Sequence, residues 1–202
     1  MACARAIHTP LAQKHELHEP QGSAIDPSDF RSIVGALQYL TLTRPDISHA
    51  VNLLCQFMQH PVANHWAGVK RVLRYLAGST QLGLRMTARS SLNIVGFSDA
   101  DWGGCPLTRR STTGLCVFLG SNCVSWASKK QTTVARSSAE AEYRALASLA
   151  AEITWLTYIL QDIGISLPSP PLLYSDNISA LHLTKNPVLH ARTKHVELTT
   201  TL

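Results

Sequence analysis

Three acids in this 202-residue chain stand where they could act together. Asp99 closes the run Phe97-Ser98-Asp99, and Asp176 closes Tyr174-Ser175-Asp176. Glu142 falls in the first turns of the helix expected between them. If the two runs are parallel neighbours in one sheet, their C-terminal ends set Asp99 beside Asp176. The crossover helix then brings Glu142 over the same edge. Three carboxylates so close repel one another unless a cation neutralises them. Hard oxygen ligands suit Mg2+ or Mn2+ and leave positions for water and phosphate oxygens. Two such ions about 3.5–4 Å apart activate a water and stabilise the leaving oxygen of a phosphodiester. Each acid also has a plain structural use. Asp99 could be a turn residue, Asp176 a helix N-cap, and Glu142 an acid favoured by a helix dipole. Asp101 and Glu140 are rivals. Asp101 is expected in the following loop, where strand register no longer sets its direction. Glu140 points to another side of the helix. Spacing favours Asp99 and Glu142 without settling either choice.

The other side chains offer weaker chemistry. His190 and His195 have no Cys or carboxylate partner at zinc spacing. Ser137-Ser138 lacks a nucleophile-elbow context, and no Gly-rich phosphate loop is present. Arg109, Arg110, Lys129, Lys130, Arg136, Lys185, Arg192 and Lys194 gather near the loops around the expected acid edge. They suit phosphate contacts, although any single one reads more readily as ordinary surface charge. Lys plus Arg is 18 and Asp plus Glu is 13, a net +5 that fits a polyanionic partner. The five cysteines are widely spread and form no C-x-x-C, which points to a reduced, intracellular chain. No apolar run reaches the ~18 residues of a membrane span, and the first residues do not read as a secretory signal.

The acids need elements to hold them. Hydrophobic residues make up 45% of the chain and charged residues 15%, a composition that buries a core. Residues 1–27 read as an extended lead-in. Residues 28–90 read as helical, with helices over 33–42, 47–58 and 63–77 separated by Arg44-Pro45-Asp46. Asp29 is a candidate N-cap for the first. Trp66, Val69, Val72, Leu73 and Leu76 give the third an apolar face, while Lys70, Arg71 and Arg74 face the other way. Beyond a boundary near 78–91 the periodicity changes. Strands are expected over 92–99, 111–119 and 123–127, the last two forming a hairpin about Gly120-Ser121-Asn122. A long helix over 137–163 follows, capped by Ser137 or Ser138. A short strand over 172–176 and a helix over 177–185 complete the pattern. The expected fold is a mixed α/β sheet domain over 91–202 behind a helical segment.

At these residues the chain resembles the Pol polyprotein of copia-type long-terminal-repeat retrotransposons, especially those of plants. Ser32-Ile33-Val34-Gly35-Ala36-Leu37-Gln38-Tyr39-Leu40-Thr41, Thr43-Arg44-Pro45-Asp46-Ile47 and Val72-Leu73-Arg74-Tyr75-Leu76-Ala77-Gly78-Ser79 resemble the segment after the polymerase active site. Five further motifs resemble the ribonuclease H domain. They are Ser98-Asp99-Ala100-Asp101-Trp102, Arg110-Ser111-Thr112-Thr113-Gly114, Trp126-Ala127-Ser128-Lys129-Lys130-Gln131, Ser137-Ser138-Ala139-Glu140-Ala141-Glu142-Tyr143 and Arg192-Thr193-Lys194-His195. The resemblance implies a ribonuclease H-like fold behind a polymerase connection remnant. It also implies metal-dependent hydrolysis of the RNA strand of an RNA–DNA hybrid, with other parts of Pol as partners. It maps the family's first three acids onto Asp99, Glu142 and Asp176. The family's paired polymerase aspartates have no counterpart, so polymerase activity is not expected. The family domain continues with a longer helix, a fifth strand and a final helix bearing a fourth acid, whereas this chain stops at Leu202. Glu197 is a poor stand-in for that acid. The expectation is therefore a domain incomplete at its C-terminus, with a non-enzymatic remnant that at most binds nucleic acid as the alternative.

Overall fold

The computed structural model describes residues 5–13 and 15–185, and the chain divides into two compact units, Met1–Leu84 and Arg85–Leu202. The expectations placed on Arg192, Lys194, Glu197, His190 and His195, and on the side chain of Lys185, lie outside the described residues.

The first unit is helical. Helix α1 spans Pro27–Leu40, α2 Ser48–Cys55 and α3 Ala63–Gly78, with a 3-10 turn at Pro45–Ile47. Asp26, not Asp29, caps α1, because its side chain accepts the Ser28 N–H at 2.8 Å and Pro27 has no N–H to lose. Asp29 sits in the first turn. Helix α2 ends at Cys55, short of the expected 58, in a turn closed by Phe57 N–H to Leu54 O. Phe30, Val34 and Leu37 of α1 fall one helical turn apart. They pack with Ile47, Val51, Leu54, Val69 and Val72 into one core. The segment before α1, expected over 1–27 as an extended lead-in, reaches that core through buried Leu17. Arg71 donates to Thr9 Oγ1 and Arg74 to Arg5 O, each at 2.7 Å, so two of the three α3 cations hold this segment.

The second unit is mixed α/β. Strands β1 (Ile94–Asp101), β2 (Thr112–Leu119), β3 (Asn122–Lys130) and β4 (Leu172–Tyr174) form one sheet in the order β3-β2-β1-β4. β1, β2 and β3 are antiparallel, while β4 lies parallel to β1. The β2–β3 hairpin turns on Gly120 at φ +60°, where an added Cβ would sit 2.0 Å from Ser90 Oγ. Helix α4 (Ser138–Asp162) crosses from β3 to β4, and α5 (Ile178–Lys185) follows β4. Leu146, Leu149 and Ile153 of α4 pack on Ile94 and Val117. The approach is close at Gly96, where a Cβ would lie 2.6 Å from Ile153 Cδ1 and 2.7 Å from Leu149 Cδ1. Strand β1 runs two residues past its expected end, so Asp101 is paired with Thr112 and is not a loop residue. No helix among the described residues is long and apolar enough to cross a membrane.

Candidate metal centre

The parallel register of β1 and β4 sets two of the acids side by side. Phe97 pairs with Tyr174, and their rings stack at 5.3 Å. Two residues further on, the same offset aligns Asp99 with Asp176, both exposed at the rim. Asp176 is not the cap of α5. Asn177 takes that role, its Oδ1 accepting the Ala180 N–H at 2.9 Å. Asp99 is not a turn residue either, since it pairs with Gly114 within β1 and β2.

Glu142 comes from α4. Ser137 caps this helix, its Oγ accepting the Glu140 N–H, and residue 142 falls in the first turns. Strand β4 stops opposite Phe97, so it offers Ala100 no backbone partner. Glu142 Oε1 accepts the Ala100 N–H instead, at 3.1 Å. Its second oxygen, Oε2, is buried with no hydrogen-bond partner. Asp99, Glu142 and Asp176 each offer an oxygen within 4.8 Å of the other two, and Glu142 is the buried member. Burial lifts the Glu142 carboxyl to about 7, and the charges of Asp99 and Asp176 add to the lift, against the Ala100 N–H. Two things can relieve such a cluster: a proton on Glu142, or a cation shared by all three.

The rivals are occupied elsewhere. Buried Glu140 pairs with Arg144 at 2.7 Å and accepts the Arg136 N–H at 2.8 Å. Arg144 also donates to Thr133. The Asp101 carboxylate lies over Gly104, where a Cβ would fall 1.6 Å from Oδ2. Of the basic candidates, Arg109, Arg110, Lys129 and Arg136 are exposed. Lys130 instead donates to Cys105 Sγ at 2.8 Å. Burial opposes ionisation of that thiol, but the bonds from Lys130 and Thr108 prevail and bring it down to about 7. The sequence reading missed both Cys105 and Arg144. Only Arg144 carried a signal, its i+4 spacing from Glu140. A groove of about 800 Å3 between α4, β4 and α5 is apolar and none of the three acids lines it. The acids stand on an open rim, which suits a polymer better than an enclosed small molecule.

The chain is 46% identical over 199 residues to the retrovirus-related Pol polyprotein from transposon RE2 of Arabidopsis thaliana, covering 98% of this chain and 14% of that protein. It is 45% identical to the corresponding polyprotein from transposon RE1 of the same plant, with the same coverage. It is 37% identical over 207 residues to that from transposon TNT 1-94 of Nicotiana tabacum, covering 98% of this chain and 15% of that protein. The chain thus spans about a seventh of the length of these relatives. No protein-family model matches it. No solved structure matches it either.

Proposed function

Because the chain belongs to the copia-type, retrovirus-related Pol polyproteins of plant transposons, we propose that its second unit is a ribonuclease H-like domain that hydrolyses the RNA strand of RNA–DNA hybrids. The helical first unit then corresponds to the polymerase's trailing connection segment, and other parts of Pol are its partners. The observation that carries this reading is the approach of Asp99, Glu142 and Asp176 to within 4.8 Å on one rim of the sheet.

The donor set fits Mg2+ or Mn2+, since all three ligands are hard oxygens and Glu142 Oε2 is buried without a partner. A pair of such ions supplies Lewis acidity toward a phosphodiester and its attacking water. The chain's own residues do the rest. Asp99 and Asp176, exposed at the rim, face the incoming phosphate. Glu142, fixed by the Ala100 N–H, would hold the cations from the buried side of the cluster. Exposed Arg109, Arg110, Lys129 and Arg136 hold the hybrid's backbone through phosphate contacts that carry no sequence preference.

The test is cleavage of a labelled RNA–DNA hybrid by the purified chain. Cutting of the RNA strand is expected with Mg2+ or Mn2+, none in EDTA, and none by Asp99→Asn in either. Hybrid retained but never cut would leave the binding remnant as the correct reading.

A further inference from the structure

Glu142 is buried beside two other carboxylates, so burial and repulsion both drive it outward. Something must hold the first turns of α4 against β1. A closed circuit of contacts does so. Ala100 of β1 pairs with Thr113 of β2. Gln131, the first residue past β3, extends the ladder by donating its N–H to Ser111 O at 2.9 Å. Its side-chain Nε2 donates twice, to Thr113 Oγ1 at 3.1 Å and to Ala141 O at 3.0 Å. The residue after Ala141 is Glu142, whose Oε1 accepts from Ala100 at 3.1 Å and closes the ring.

We propose that Gln131 is a positioning residue for the acid cluster. By clamping Ala141 to Thr113 it sets the height of the first α4 turns over the sheet, and so holds Glu142 where three acids meet. This inference rests on the reading of that cluster as a metal centre. Other hydrogen bonds of this turn act differently. Ser137 Oγ receives the Glu140 N–H within the turn, and Glu140 binds Arg136 and Arg144. They stabilise the helix start, whereas Gln131 reaches across to the sheet. A group hydrogen-bonded directly to a metal ligand is worth about 10–100-fold in metal affinity, and Gln131 acts one residue removed, through Ala141.

The experiment measures Mn2+ affinity of the full chain by titration, with thermal melts alongside. Gln131→Met keeps the shape and removes both donated bonds. It is expected to weaken Mn2+ about tenfold or more. Ser137→Ala removes the cap of the same helix. It is expected to lower the melting temperature while Mn2+ affinity stays at the wild-type value. Wild-type affinity in Gln131→Met would overturn the proposal, and so would an equal loss in Ser137→Ala. A wild-type chain that binds no Mn2+ would overturn both this proposal and the nuclease reading. A wild-type chain that binds Mn2+ yet leaves hybrids intact would remove the nuclease reading alone.

Discussion

A carboxyl group that keeps its proton up to about pH 7 makes the metal-free protein sensitive to alkali. Glu142 binds a proton more tightly folded than unfolded, so its contribution favours folding fully below about pH 4.5 and fades as pH rises through 7. The lift corresponds to about 3 kcal/mol. Glu142→Gln escapes that cost. In EDTA at pH 8 this variant is expected to be more stable than wild type by about 2–3 kcal/mol, with the gap closing by pH 5. Denaturant melts at the two pH values measure it, and a constant gap would contradict it. With metal the order reverses, because the wild-type carboxylate is a charged ligand and the amide of Glu142→Gln is a weaker, neutral one. Mn2+ binding should therefore weaken as pH falls below 7, as protons compete for Glu142. Asp99 and Asp101 separate in the same assay. Asp99→Asn should lower Mn2+ affinity by an order of magnitude or more, while Asp101→Asn should leave it unchanged. Spacing alone could not make that distinction, since both residues lie on one strand. The Asp101 carboxylate lies over Gly104, and only the folded loop displays this.

At the scale of elements, much of the second unit was legible. Alternation and turn residues marked β1 to β3, Ser137 or Ser138 marked the start of α4, and the short apolar run after Pro170-Pro171 marked β4, which ends at Tyr174, short of the expected 176. The end of β1 was misread because Asp-Ala-Asp-Trp-Gly-Gly has loop composition, whereas pairing with β2 carries the strand on to Asp101. The first unit's leading segment was misread for a related reason. Leu17 is a lone apolar residue among polar ones, and its burial depends on partners far along the chain. Gly96 belongs to neither error. Its role is invisible in the strand pattern, yet it sets how closely α4 lies on β1. Gly96→Val should cost about 1–3 kcal/mol by overpacking against Leu149 and Ile153. Because Glu142 lies two turns from Leu149 on the same helix, the displacement should also weaken Mn2+. A variant destabilised in urea but with unchanged Mn2+ affinity would show that the helix adjusts locally.

For the whole molecule, the scarcity of acids matters as much as the three that gather. The chain carries 18 Lys and Arg against 13 Asp and Glu. Three of those acids sit where a bound cation would cancel them, and Glu140 and Asp46 are spent on Arg144 and Arg44. The field presented to a nucleic acid is therefore more positive than the formal balance suggests once the rim is loaded with metal. Exposed Arg109, Arg110, Lys129 and Arg136 supply four candidate phosphate contacts. At about 0.7–0.9 released counterions per contact, the logarithm of hybrid affinity should fall with the logarithm of salt at a slope near −3. That is roughly a 60-fold loss between 50 and 200 mM salt. The measurement uses Asp99→Asn protein, so that binding is read without cutting. Replacing Arg109 or Lys129 with Ala should each reduce the slope by about 1. A slope near zero would mean that the basic loops do not touch the backbone.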